Sequence, residues 1–166
     1  MVAQLNNIPA AVRSILDTVT DPEIPVLTII DLGVVHKVAL TGKNIYVELI
    51  PTYTGCPAMD VMQADVIQAF SKEGYTATTK LVLSPAWTSD RITEKGKAAL
   101  KAYGIAPPLG ETADKAALLE GSKLVGCTNC GSTNTKLVSQ FGSTACKALF
   151  KCLDCLEPFD YFKCLK

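Results

Sequence analysis

The sequence is nearly without arginine: Arg13 and Arg91 are the only two in 166 residues. It has one histidine, His36, and one tryptophan, and its charges balance at sixteen of each sign. A chain with no net charge and so few guanidinium groups is poorly suited to holding nucleic acid through its phosphates. No apolar run approaches the roughly 20 residues that a membrane span needs. The opening residues, MVAQLNNIPAAVRSILD, lack the basic-then-apolar order of a secretory signal. These absences predict a cytoplasmic protein with no nucleic-acid and no membrane partner. His36 lies in a strand-like run and gives no argument for a Cys–His–Asp set, and no glycine-rich phosphate loop is present.

Cysteine is also scarce over most of the length. Cys56 stands alone in the first 126 residues, and the other six crowd into the last 40. Disulfides do not account for seven cysteines in a cytoplasmic chain. The uneven distribution predicts two modules of different physics. Hydrophobic residues make up 48% of the chain, enough for a packed core.

The apolar stripe Ile8, Val12, Ile15, Leu16 and Val19 predicts a helix over 8–19, capped by Asn6 or Asn7 with Pro9 in its first turn. Pro22, Pro25 and Gly33 exclude regular helix from DPEIPVLTIIDLG. VVHKVALTGKNIYVEL reads as a hairpin turning at Thr41–Asn44. Met59, Met62, Val66 and Phe70 predict a helix from Pro57 to about Ser71, ended by Gly74. YTATTKLVLS reads as a third strand, and residues 89–103 as a helix stopped by Gly104. The order α-β-β-α-β-α predicts an α+β two-layer N-terminal domain over 1–105. Residues 106–123 read as a linker, in which ETADKAALLE forms one short helix. His36 reads as an ordinary strand residue, and Asp21, Glu23 and Asp31 as turn formers, although carboxylates near a metal-handling thiol also make chemical sense.

Residues 124–166 carry two CxxC knuckles, CTNC (127–130) and CLDC (152–155), separated by 21 residues. Two such turns supply Cys127, Cys130, Cys152 and Cys155 as a tetrahedral four-cysteine set. With the strand-like runs TKLVSQF, ACKALFKC and PFDYFKC, this predicts a small zinc-ribbon-like β module stapled by Zn2+. The alternative occupant is iron or an iron–sulfur cluster; affinity order favours zinc over ferrous iron. Leu156 follows the second knuckle where Gly131 follows the first, which predicts a strained or differently shaped turn. Cys146 and Cys164 are either small buried hydrophobes or additional ligands. With five Lys, three Asp or Glu and no Arg from Leu124 onward, the module is a weak nucleic-acid binder. Phe159, Tyr161 and Phe162 are then a core or a protein-docking face.

Cys56 sits between a strand and a helix, followed by Pro57. At a helix N-terminus a thiolate gains from unsatisfied N–H groups, and Thr52 and Thr54 bring hydroxyls near. The same position suits a small buried residue filling a corner, and the residues alone do not choose.

DPEIPVLTIIDLGVV (21–35), PTYTGCPA (51–58), SPAW (84–87) and YGIAPP (103–108) resemble the α/β domain of SufT-type proteins and of the N-terminus of Mrp-type iron–sulfur carriers, over about residues 7–108. With the tail FGSTACKALFKC and EPFDYFKC, the whole chain resembles the D subunits of bacterial phenylacetyl-CoA 1,2-epoxidase systems (the PaaD family, also called PaaJ). The resemblance implies a non-catalytic accessory subunit in aerobic phenylacetate breakdown that helps mature the reductase [2Fe–2S] cluster or the di-iron centre. Cys56 would be the transient ligand, with Thr52, Thr54, Asp21 and Glu23 as its supporting loop. Its partners would be the oxygenase or reductase subunits, with a homodimer sharing the thiol as one arrangement. The competing readings are a permanent structural subunit with Cys56 merely packed, and a thiol-dependent enzyme, for which no base is visible.

Overall fold

The computed structural model describes residues 8–119 and 124–163. Its chain order is α1 (Ala10–Leu16), β1 (Val35–Thr41), β2 (Asn44–Leu49), α2 (Ala58–Lys72), β3 (Thr76–Leu81), α3 (Glu94–Tyr103), β4 (Ile105–Ala106), α4 (Glu111–Leu119), β5 (Thr135–Ser139), β6 (Lys147–Cys152) and β7 (Pro158–Phe162). These form two compact units. One runs to Trp87 and takes in Arg91–Thr93; the other holds Thr88–Asp90 and the chain from Glu94.

In the first unit, the sheet order is β1-β2-β3. The β1–β2 hairpin is antiparallel and turns at Thr41–Asn44 as predicted, with Gly42 at φ 62°. β3 runs parallel to β2 because α2 carries the chain across between them. β2 alternates, burying Ile45, Val47 and Leu49. Helix α2 buries Met59, Met62, Val66 and Phe70 on one stripe and packs on β3, where Gln63 donates to Thr79 Oγ1 at 3.1 Å. Its end is a paired-hydrogen-bond cap: Gly74 N–H reaches Ser71 O at 3.1 Å and Tyr75 N–H reaches Phe70 O at 3.0 Å. Gly74 at φ 77° permits that reversal, and the Phe70 and Tyr75 rings meet edge-on.

The proline-rich segment before β1 has no helix. Asp21 Oδ1 accepts the N–H groups of Glu23 at 2.6 Å and Ile24 at 2.9 Å, closing a turn. The following Asp31–Gly33 corner is clamped from the SPAW side of the chain. Trp87 Nε1 donates to Leu32 O at 3.0 Å, Arg91 Nε to Gly33 O at 2.8 Å, and the Thr93 hydroxyl to Asp31 Oδ1 at 2.7 Å. Two of the motifs behind the resemblance are thus one tertiary corner.

In the second unit the sheet order is β4-β7-β6-β5, with β4 parallel to β7 and the other pairs antiparallel. Its core gathers Ala106, Ala117, Val125, Ala148, Phe150, Phe159 and Tyr161. Asp114 on α4 is buried and accepts hydrogen bonds from Ser89, from the Leu109 N–H and from the Tyr161 hydroxyl.

Several boundaries differ from the sequence expectation. α1 is shorter than 8–19, and Asn6 and Asn7 lie outside the described residues. The expected helix over 89–103 is a 3-10 turn, Ser89–Arg91, followed by α3. The segment read as a linker folds: β4 pairs with β7, and α4 contributes Ala117 to the core. Accordingly α3, expected in the first domain, lies in the second compact unit. Phe159, Tyr161 and Phe162 are buried, which makes them core and not a docking face.

Candidate metal centre

The tail knuckles come together. The sulfurs of Cys127, Cys130, Cys152 and Cys155 lie within 4.8 Å of one another. Cys127 and Cys155 are 3.6 Å apart, as are Cys130 and Cys152. A tetrahedral ion with metal–sulfur bonds of about 2.3 Å needs sulfur–sulfur edges of about 3.8 Å. The four thiols therefore fit such an ion with little movement, and ordinary packing does not bring four thiols so close.

Backbone geometry explains the convergence. Cys127 N–H donates to Ser132 O, and Cys152 N–H to Glu157 O, each at 2.9 Å. Gly131 at φ 75° and Leu156 at φ 65° make the same left-handed step after each knuckle. The turn flagged at Leu156 keeps the shape of its glycine counterpart and bears the strain. Side chains that spacing did not single out complete the frame. Asp154 accepts from Asn134 Nδ2 at 2.7 Å and from the Ser132 hydroxyl, while Asn129 Nδ2 points at Cys155 Sγ from 3.7 Å. The signal for Asp154 was its place inside the second CxxC; its partners are set by the fold.

The thiols differ in acidity. The Glu157 N–H lowers Cys155 to about 7, against a smaller burial effect, with hydrogen bonds from Cys130, Asn129 and Cys152 assisting. The Ser132 N–H pulls Cys130 down, but hydrogen bonding to Cys155, burial and bonds to Cys152 and Cys127 together push it up to about 12. One thiol gives up its proton readily while its neighbour keeps one, so a metal entering the cluster must displace protons.

Cys146 is outside this group. It lies six residues before Cys152, just before β6, which at about 3.3 Å per strand residue is about 20 Å away. It is buried, with its sulfur 3.1 Å from the Thr144 hydroxyl. Cys164 lies outside the described residues.

Cys56 occupies the turn into α2, where its N–H reaches Tyr53 O at 3.2 Å and its carbonyl accepts the Met59 N–H at 3.3 Å. It is half-buried, and burial raises its pKa. The Ala58 N–H and the Tyr53 and Thr52 side chains pull the other way, while the negative charge of Glu23 adds to the rise. The thiol therefore stays protonated at neutral pH, contrary to what the helix N-terminus alone suggested. Thr52 is buried beside it and Thr54 is exposed. Glu23 is near enough to act on the sulfur electrostatically, whereas the Asp21 carboxylate closes its turn. Sequence reasoning missed Tyr53. His36 is partly buried at the irregularity between Val35 and Lys37, and its Nδ1 has no hydrogen-bond partner among the described residues.

Comparison with known proteins agrees with this architecture. The family model described as the PaaD zinc beta ribbon domain matches residues 111–163, and that of an iron–sulfur cluster assembly protein matches residues 9–73. An Escherichia coli (strain K12) protein provisionally named as the D subunit of 1,2-phenylacetyl-CoA epoxidase is 44% identical over 153 residues, 92% of this chain and 90% of the relative. A crystal structure of a domain of unknown function (DUF59) from Bacillus anthracis aligns at 26% identity with a TM-score of 0.51, covering 54% of this chain and 88% of that one.

Proposed function

The chain belongs to the family of phenylacetyl-CoA epoxidase D subunits, and on that premise we propose that it is a cytoplasmic, non-catalytic subunit that delivers iron or an iron–sulfur cluster to a metal centre of the epoxidase. The two thiol sites divide the work. The four-cysteine set holds Zn2+ permanently: four thiolates in a closed shell suit a d10 ion with no geometric preference of its own, and zinc binds such sites more tightly than ferrous iron. That ion ties the two knuckles of the ribbon to each other.

Cys56 is the transient ligand. The observation that carries this reading is its place, half-buried on the turn into α2 and within a ring of sulfur hydrogen-bond donors. A single half-buried thiol on a turn offers one ligand where the closed cluster offers four, so its hold on cargo is labile. Once the proton leaves, the Ala58 N–H and the Thr52 and Tyr53 groups stabilise the sulfur anion. Glu23 raises the thiol's pKa rather than activating it, which disfavours nucleophilic catalysis. Glu23 and Thr52 support the thiol, with Thr54 and the Asp21 turn shaping the loop. The clients are the oxygenase or the reductase, and a homodimer offers a way to bring two thiols to one cargo.

The test is iron content per purified oxygenase and per reductase, from cells making wild-type protein or Cys56→Ala. Delivery predicts a severalfold fall in one client while the variant stays folded and keeps its zinc. Unchanged iron and unchanged epoxidation would leave the chain a permanent structural subunit, with Cys56 packed in a corner.

A further inference from the structure

The two knuckles share a backbone but not a surface. Both make the same hydrogen bond from their first cysteine, and both take a left-handed step after their second. Thr128, Asn129 and Gly131 of the first correspond to Leu153, Asp154 and Leu156 of the second. The first knuckle shows that polar residues and a glycine suffice for the metal site. Leucine is disfavoured in the left-handed region because its Cβ crowds the backbone, and Leu156 is the one non-glycine residue there among those described. Burial would normally offset such strain. Here it does not: Leu156 is 62% exposed and Leu153 48%. Two leucines, one of them strained, are displayed to solvent at a position where the chain's own counterpart does without them.

We propose that the tip of the second knuckle, Leu153 and Leu156, is the docking surface for another protein subunit of the epoxidase, one presenting an apolar pocket with lysine or arginine at its rim. This rests on reading the chain as an accessory subunit with client proteins. Charge selects the class of occupant. Asp154 and Glu157 are exposed and interleave with the leucines, and Asp154 is held in place by Ser132 and Asn134. Lys151, the nearest cation in sequence, sits back on β6 as the register partner of Lys136. An acidic, apolar tip repels an anionic membrane, a nucleic acid and a second copy of itself, and it complements a basic-rimmed pocket. The strain fits this role: a left-handed residue projects its side chain out of a tight turn, and the return comes on binding.

Full-length, metal-loaded protein would be titrated with each purified oxygenase and reductase subunit, as wild type, Leu156→Gly and Leu153→Ser. Docking predicts affinity for one subunit at least tenfold weaker for each variant, with metal content unchanged. Leu156→Gly relieves strain, so its melting temperature should hold or rise. A lower melting temperature for Leu156→Gly would mean that the leucine is packed, and would overturn the proposal. So would affinities equal to wild type, the absence of binding by wild type to every subunit, or an effect confined to self-association in sedimentation. Cys56→Ala separates this from delivery. It should bind its client normally; if it also leaves client iron intact while the knuckle variants still lose binding, delivery fails and the docking surface stands.

Discussion

Cys56 and Cys155 are the same residue type in opposite electrostatic settings. Cys155 accepts the Glu157 N–H with little burial against it and falls to about 7. Cys56 accepts the Ala58 N–H too, but burial and the Glu23 charge outweigh it. Cys155 gives up its proton readily, and Cys56 holds its own. In zinc-loaded protein, alkylation of Cys56 should therefore accelerate with pH about a midpoint above that of an ordinary thiol. Glu23→Gln should move that midpoint down, because it removes a negative charge that disfavours the thiolate. A midpoint at or below the ordinary thiol range, read by mass spectrometry of the modified peptide, would contradict this. The place of Cys56 on a strand-to-helix turn was legible, since alternation before it and helical spacing after it are local patterns. Its acidity was not, because desolvation and the Glu23 charge reach it only through the fold.

At the scale of elements, the DLG corner shows how motifs far apart in sequence become one feature. Gly33 stands at φ 75°, and a Cβ there would come within 2.3 Å of the Arg91 carbonyl oxygen. Arg91 in turn donates to Gly33 O. Gly33→Ala should cost about 3 kcal/mol or more, combining a disfavoured backbone with a steric clash. Gly42 offers the control: it is also left-handed, at φ 62°, but a Cβ there meets nothing within 4 Å. Gly42→Ala should cost only about 1 kcal/mol. Urea unfolding of the two variants measures both, and equal losses would show that the Arg91 contact does not matter. The glycine was visible as a break in an apolar run, but its neighbour 58 residues on was not.

For the molecule as a whole, the described residues divide into two units, and the four clustered cysteines belong to the second. Stripping the metal with a strong chelator should expose the amides of β5, β6 and β7 to rapid hydrogen exchange while those of α2 and β2 stay protected. Atomic emission should find one metal ion per chain lost. Simultaneous loss of protection throughout would mean that the two units unfold as one, against the division seen here. No helix among the described residues is long and apolar enough to cross a membrane, as the lack of long apolar runs anticipated.

By itself the sequence determined the hairpin turn, the apolar stripe of α2, the Gly74 stop and the two CxxC knuckles. All follow from residue type and short spacing, which act over one or two turns of chain. Tertiary structure decided the rest. It joined α3, β4 and α4 to the ribbon, because β4 finds its hydrogen bonds on β7. It left Cys146 out of the centre, because a strand carries its two ends apart. It also moved Cys155 down and Cys56 up from the ordinary thiol range, since hydrogen bonds, desolvation and charge depend on what the fold places around each sulfur.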